Sequence, residues 1–312
     1  MRRKVTLHGP ATLSVSLPLK WARLNNIKKG DEVDVDEQKS SLIISKNAVE
    51  GERKEISVDI PDLEGRLVMF LVRDLYISGY TTITLRFNNT HTFHDRVKKE
   101  VTVQSLISRE VRRLMGLEVV SISENSCTMK SMVKESSEQF DQSIRRSFLL
   151  LKDMFSVLQK AVEEGSDSLT EVANDTHDQI TTFISYNLRT LGKIGYKDSS
   201  TTMKLYNYLF KLDDILDIAK YMYREISEYV PLKRMKDITH QFQKHFDLSY
   251  HLYYEYGLDK EQEIRELKIK MEKEVLKLYK NATEQERRYL HFVESIVEET
   301  FKLNRITMSL VY

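Results

Sequence analysis

The chain has 312 residues, too many for one small hydrophobic core, which predicts two or three domains. Its composition, 41% hydrophobic and 30% charged, is that of an ordinary soluble protein, and no apolar run is long enough to span a bilayer. The single cysteine, Cys127, excludes an intrachain disulfide and a cysteine-based zinc cage. The basic N-terminus is not followed by the apolar core of a secretory signal, so we expect a cytoplasmic protein.

Charge is unevenly distributed, although the net charge is only +1. Residues 1–30 contain no Asp or Glu, and the acids begin at Asp31. The basic residues of this stretch are Arg2, Arg3, Lys4, Lys20, Arg23, Lys28 and Lys29. A locally basic segment on a nearly neutral chain predicts an anionic partner that binds one module.

The first 50 residues are predicted to form short strands, because apolar residues alternate in two runs on either side of the turn His8–Ala11. A short helix is predicted at residues 19–24, and two further strands at residues 32–35 and 41–45. Residues 51–130 are predicted as a small sheet covered by helices, with strands at 55–59, 81–87 and 118–123 and helices at 62–78 and 103–115. Within this region we expect His91–His94 to lie in a polar loop and Cys127 to be structural.

From residue 131 onward the chain is predicted to be helical, because apolar residues recur at three- and four-residue steps. Two such faces are Phe140, Ile144, Phe148, Leu151, Phe155 and Leu158, and Leu205, Leu209, Leu212, Leu216 and Ala219. Breaks predicted at Gly165, Gly192–Gly195, Val230–Pro231, Gly257 and Asn281 give about six helices. The segment from Tyr208 to Asp217 matches Tyr289 to Glu298 in its apolar and acidic positions, which predicts two three-helix units at residues 131–230 and 231–312.

The run Ser16-Leu17-Pro18-Leu19-Lys20-Trp21, followed by Ile27-Lys28-Lys29-Gly30-Asp31-Glu32-Val33, resembles the AbrB/SpoVT family, particularly its archaeal branch, over residues 2–46. The resemblance implies a swapped-hairpin β-barrel shared by two subunits. About 45 residues in short strands cannot bury enough apolar surface alone, which also favours exchange with a second copy. Pro18 suits the start of the short helix, Trp21 supplies an apolar anchor and Gly30 a tight turn.

The same resemblance implies that Arg2, Arg3, Lys4, Lys20 and Arg23 meet DNA, where Lys and Arg neutralise phosphates. Two positions depart from the family pattern: the turn His8–Ala11 contains less glycine, and Leu19 stands where a basic residue is common. The alternative is a module that dimerises without binding DNA.

Leu212-Asp213-Asp214-Ile215-Leu216-Asp217-Ile218-Ala219 resembles a helix of the PhoU family, and the segment from Arg112 to Val120 resembles the linker of archaeal proteins that join these two domains. The fold class we expect is therefore α+β and multidomain. Residues 1–50 form the AbrB-like module, 51–130 the α/β connection and 131–312 the PhoU-like tandem three-helix bundles.

In the PhoU family, acids spaced four apart hold metal clusters, because such carboxylates lie on one helix face. The matching positions imply a divalent or iron cluster at Asp213, Asp217, Glu294, Glu298, Asp175 and Asp178. However, Asp214 replaces an Arg, Ile218 a His and Glu298 an Asp of the family pattern. The alternative interpretation is a solvated acidic stripe.

Other site chemistry is sparse, because the chain has no glycine-rich phosphate loop, no nucleophile turn and no Glu-x-x-His pair. We therefore expect a dimeric DNA-binding regulator of phosphate uptake rather than an enzyme. The alternatives are a scaffold that docks on a phosphate transporter without binding DNA, and a metal-binding bundle protein.

Overall fold

The structure, a computed structural model, describes residues 2–38, 41–46, 54–95, 97–164, 169–227 and 232–312. They belong to two compact units, residues 1–52 (unit 1) and residues 53–312 (unit 2). The helix breaks predicted at Gly165 and at Val230–Pro231 lie outside the described residues. No helix in the described part of the chain combines the length and the apolar character needed to cross a membrane.

Unit 1 consists of two antiparallel hairpins and a short helix between them. Its elements are β1 (Val5–Leu7), β2 (Leu13–Val15), α1 (Leu19–Leu24), β3 (Asp34–Gln38) and β4 (Ser41–Ser45). The turn between β1 and β2 is closed by the His8 N–H, which donates to the Thr12 carbonyl at 2.7 Å. Pro18 directly precedes α1, and Gly30 has a φ of +96°, which favours glycine. The helix at residues 19–24 and the strand at residues 41–45 are confirmed. The first two strands are shorter than the predicted runs 4–8 and 12–17, and the third, predicted at residues 32–35, begins at Asp34.

Unit 2 begins with a four-stranded sheet in the order β5-β6-β10-β9 and a separate hairpin, β7-β8. The strands are β5 (Glu55–Ile60), β6 (Thr82–Phe87), β7 (His91–His94), β8 (Lys99–Thr102), β9 (Leu117–Ser123) and β10 (Ser126–Ser131). Helix α2 (Gly65–Ile77) links the parallel pair β5 and β6, and α3 (Val103–Val111) follows the hairpin. Ile83 and Leu85 of β6 and Cys127 and Met129 of β10 are buried in the same core as the helices.

The prediction that His91–His94 is a polar loop was wrong, because these residues form β7 and His94 is only 3% exposed. The histidine is buried by the close approach of β7 to the start of α2. A Cβ atom at Gly65 would lie 3.3 Å from the His94 Cβ and 2.9 Å from the Leu106 side chain. Strand β10 was not predicted either, since only Cys127 and Met129 interrupt its polar residues.

The remainder of unit 2 is helical, as predicted, and six long helices are present in its described residues. They are α4 (Ser137–Glu164), α5 (Leu169–Ile194), α6 (Ser199–Ser227), α7 (Lys236–Tyr254), α8 (Leu258–Tyr279) and α9 (Glu284–Val311). The break at Gly192–Gly195 is confirmed, because Gly195 follows α5 with a φ of +70°. Gly257 and Asn281 likewise lie between helices. The capping box of Thr283 and Glu286 fixes the start of α9.

The helices α6 and α9 pack on each other, and α4 contacts α7. The apolar faces predicted on α4 and α6 are buried throughout. The positions related by the 81-residue shift are buried in pairs, as Tyr208 with Tyr289 and Leu212 with Val293 show. The Tyr289 hydroxyl lies 2.5 Å from the Thr239 hydroxyl, so a polar contact joins α9 to α7 inside the core.

Arg189 of α5 joins the helices to the α/β part of unit 2. Its side chain is fully buried, lies 4.7 Å from the Tyr76 ring centre and donates to the carbonyl oxygens of Tyr76 and Tyr80 at 2.6 and 2.9 Å. Its Nε donates to Glu135 at 2.7 Å, and Lys193 donates to the other oxygen of the same carboxylate. The charge is therefore paired within the core rather than exposed to water.

Replacing Arg189 with Ala should destabilise the protein by about 3–5 kcal/mol, because Glu135 and two carbonyl groups lose a buried partner. Arg86→Ala is the matched control, because it removes an exposed ion pair with Asp59 and should cost less than about 1 kcal/mol. Urea denaturation of the wild type and both variants measures the difference. Equal losses of unfolding free energy in the two variants would contradict the role of Arg189 in joining the helices to the α/β part.

Candidate functional site

The five basic residues predicted to meet DNA all lie exposed on unit 1. Arg2, Arg3 and Lys4 directly precede β1, and Lys20 and Arg23 are three residues apart on α1, where they share a helix face. Among the side chains that the structure describes, no acidic group lies within ion-pair distance of any of the five. Their charges are therefore available to an anionic partner.

The apolar side chains of unit 1 are exposed to a degree that is unusual for a folded module. Val5, Leu7, Leu13 and Val15 are 47–70% exposed, and Leu19 and Leu24 of α1 are 62% and 74% exposed. Trp21, predicted as an apolar anchor, is half-buried within its own chain. Among the described side chains of unit 1 none is fully buried, so this unit has no closed core of its own.

The predicted metal ligands of the first helical repeat lie among basic side chains. Asp213 Oδ2 is 2.8 Å from Arg73 Nη2, and Asp217 Oδ1 is 2.9 Å from His177 Nε2. Asp178 lies on the neighbouring helix with the same histidine, whereas Asp175 is exposed. Asp213, Asp217 and Asp178 are thus engaged by basic side chains.

The acids of the second repeat are similarly occupied. Glu298 Oε2 lies 3.0 Å from Lys268 Nζ, and Glu294 accepts a hydrogen bond from the Tyr279 hydroxyl at 3.0 Å. Within the described residues, no group of three or more His, Cys, Asp or Glu side chains is arranged to hold a metal ion. The predicted carboxylates contact other side chains of the protein and do not converge on a common point where a metal could bind. Metal binding therefore stays a prediction without support from the geometry.

A charged cluster between α2, α3, α5 and α6 contains residues that the sequence did not single out. His177 is 4% exposed, and its Nδ1 lies 2.9 Å from Lys220 Nζ and 3.1 Å from Asp178 Oδ1. Its Nε2 lies 2.9 Å from Asp217 Oδ1. The histidine therefore links α5 to two charged groups of α6.

Arginines of the α/β part complete this cluster. Arg113, just after α3, lies 2.9 Å from Glu110 Oε2 and 3.1 Å from Asp178 Oδ1. Arg73 of α2 donates to the Ser185 hydroxyl at 3.0 Å in addition to its contact with Asp213. No short-range pattern relates these arginines to acids about 65 and 140 residues further along the chain, which is why the sequence did not reveal the cluster.

The carboxyl groups of the cluster respond differently to their surroundings. Burial raises the pKa of Asp213 and of Glu110 more than the neighbouring arginines lower it. Burial also acts on Asp178 and Asp217, but the contacts with His177 and the positive charges around them outweigh it, so both pKa values lie below their usual range. Asp178 and Asp217 thus remain ionised at neutral pH.

Comparisons of the chain with models of protein families, with curated proteins and with solved structures give no match.

Replacing Asp178 with Asn should destabilise the protein at pH 7 and have less effect at pH 3. A lowered pKa in the folded state stabilises the protein above the unfolded value, near 3.8, and this contribution is lost as the pH falls through the folded pKa. Urea midpoints of wild type and variant at both pH values measure the difference. Asp59→Asn, on an exposed residue, is the control. A loss of stability in Asp178→Asn that is equal at both pH values would contradict the ionised state of the Asp178 carboxylate in the folded protein.

Proposed function

We propose that the protein is a dimeric DNA-binding regulator in which unit 1 provides both the dimer interface and the DNA contacts. The observation that carries this proposal is the combination, within one small unit, of unburied apolar side chains with basic side chains that have no acidic partner in the described residues. The unburied apolar side chains require a protein surface to cover them. The basic side chains favour the binding of a polyanion.

The apolar surface of unit 1 has the form of a sheet face. Val5 pairs with Val15 and Leu7 with Leu13 across β1 and β2, so all four side chains lie on one side of the hairpin. Thr6 and Ser14 lie on the other side and bond through their hydroxyls at 2.9 Å. A second copy brings an identical apolar face, and a closed barrel made of hairpins from two subunits removes both faces from water.

DNA binding follows from the basic residues around this interface. In a two-fold dimer, Arg2, Arg3 and Lys4 occur twice, as do Lys20 and Arg23 on α1. This gives ten cationic side chains on one assembly, which is enough to neutralise several phosphates of a duplex. The AbrB-like arrangement expected from the sequence uses these two elements for DNA contacts.

Unit 2 is proposed as the regulatory part. Its six described helices and its paired buried positions, 81 residues apart, agree with two related three-helix units of the PhoU type. The resemblance to PhoU suggests phosphate uptake as the process regulated. A phosphate transporter is the expected protein partner if unit 2 also docks on other proteins.

The dimer is tested by Leu7→Asp, which places a charge on the apolar face of β1. We expect the dimer dissociation constant to rise at least tenfold, because a carboxylate buried between the two copies would be unpaired. Analytical ultracentrifugation over a range of protein concentrations measures the change. Thr6→Asp, on the opposite face of the same strand, is the control and should leave the constant within about twofold; a wild-type chain that stays monomeric would refute the proposal.

DNA binding is tested by replacing Arg2, Arg3 and Lys4 together with Ala. Each lost phosphate contact should lower the slope of log affinity against log salt by about 0.9, so the slope should fall by roughly 3 for each subunit that binds. Fluorescence anisotropy with duplex DNA at several salt concentrations measures it. Lys98→Ala, Lys99→Ala and Lys130→Ala together on unit 2 are the charge-matched control, and an unchanged slope in the N-terminal variant would exclude these residues from the interface.

A further inference from the structure

The charged cluster of unit 2 surrounds a cavity of about 100 Å³. Helix α2 contributes Arg66 and Arg73 to its lining, and Arg109 and Arg113 come from α3 and the residues after it. Thr181 of α5 and Lys220 of α6 lie on the other side. A single water needs roughly 10–15 Å³ of such space, so the cavity holds several waters or one small ion with part of its hydration.

Positive charge exceeds negative charge in this lining. Five Lys and Arg side chains face three carboxylates, those of Glu110, Asp178 and Asp217, which leaves an excess of two positive charges, not counting the histidines. Asp213, which pairs with Arg73 from beside the cavity, reduces the excess to one. The cavity therefore remains positive after its internal ion pairs are counted.

Two of these cations form no ion pair with a carboxylate in the described part of the chain. Neither Arg66 nor Arg109 has a carboxylate within ion-pair distance among the described residues, and the Arg66 guanidinium lies 5.6 Å from the Phe70 ring centre. The cations that hold the cluster together are instead Arg73, Arg113 and Lys220. Arg66 and Arg109 are therefore available to a bound group.

Buried polar atoms in the lining also lack partners. Within the described residues, the Thr181 hydroxyl and His94 Nδ1 have no hydrogen-bond partner, although the two residues are only 1% and 3% exposed. The Glu64 carboxylate lies 3.9 Å from His94 Nδ1, too far for a hydrogen bond. Such buried groups are costly when unsatisfied, so they indicate a bound polar group.

We infer that this cavity binds a small anion with a phosphate group, either inorganic phosphate or a small phosphate ester. Arginine presents planar paired donors that match phosphate oxygens, and the negative charge of the anion offsets the excess positive charge of the lining. The partly enclosed setting strengthens these contacts relative to water. The cavity is too small for a whole nucleotide base and sugar to enter with the phosphate.

The anion would connect α2 and α3 with α5 and α6, because its ligands come from both sides of the cavity. Describing it as an effector rests on the proposed function, in which unit 2 is the regulatory part. The binding itself does not depend on whether unit 1 binds DNA.

Isothermal titration of the full chain with inorganic phosphate tests the inference, with sulfate and glycerol phosphate as further arms and NaCl of equal ionic strength as the reference. We expect saturable binding of phosphate that weakens at least tenfold in the double variant Arg66→Gln, Arg109→Gln. The matched control is Arg86→Gln with Arg145→Gln, two exposed arginines outside the lining, and it should bind as the wild type does. Tighter binding of glycerol phosphate than of phosphate identifies an ester as the source, and the reverse order identifies the free ion.

The absence of saturable binding of any of the three anions, or wild-type affinity in the Arg66, Arg109 variant, overturns the inference. Neither arginine has an acidic partner among the described residues, so the variant should fold normally, and a melting temperature within a few degrees of the wild type without anion checks this. The variant with Arg2, Arg3 and Lys4 replaced by Ala separates the two proposals. It should lose DNA affinity while binding phosphate as the wild type does.

Discussion

The burial of apolar side chains is the constraint on which the organisation of this protein depends, and the two units meet it differently. Unit 2 encloses aliphatic and aromatic residues from its sheet and its helices in one continuous core. Among its described side chains, unit 1 leaves eight large aliphatic ones exposed in a single chain: Val5, Leu7, Leu13, Val15, Leu19, Leu24, Val35 and Leu42. Covering them contributes on the order of 10 kcal/mol, which is comparable to the whole stability of a small domain. A lone copy of unit 1 is thus an incomplete module.

In unit 2, charged side chains lie close to the hydrophobic core. Three acids of α5 and α6 that resemble metal ligands, Asp178, Asp213 and Asp217, are paired with basic side chains, namely Arg73, Arg113, His177 and Lys220. Two of these basic side chains come from the α/β part, so the same contacts hold the sheet-bearing segment against the helices. The acids thereby acquire a structural role that their spacing along α6 does not reveal.

Local patterns predicted the elements well, and the reasons for the failures are physical. Periodicity located the apolar faces of α4 and α6, and turn chemistry located the bend at Gly30, because both depend on neighbouring residues. Strand β7 was not predicted, because its residues are mostly polar, and its one buried residue, His94, packs against Gly65, which lies 29 positions earlier. The cluster around His177 was not predicted, because its members come from four helices that only the tertiary fold brings together. Arg66 and Arg109 likewise carry no local sign that they face one cavity.

The contacts of Arg189 have a mechanical consequence for α2. At its C-terminal end the helix is held through the carbonyl oxygens of Tyr76 and Tyr80, where the negative end of the helix dipole favours a cation. Its opposite end, near Arg66, borders the cavity. Between the two ends, Arg73 holds the helix to Ser185 of α5 and Asp213 of α6. A displacement of α2 near Arg66 would therefore act on the contacts with α5 and α6 as well as on the strands that the 13-residue helix connects.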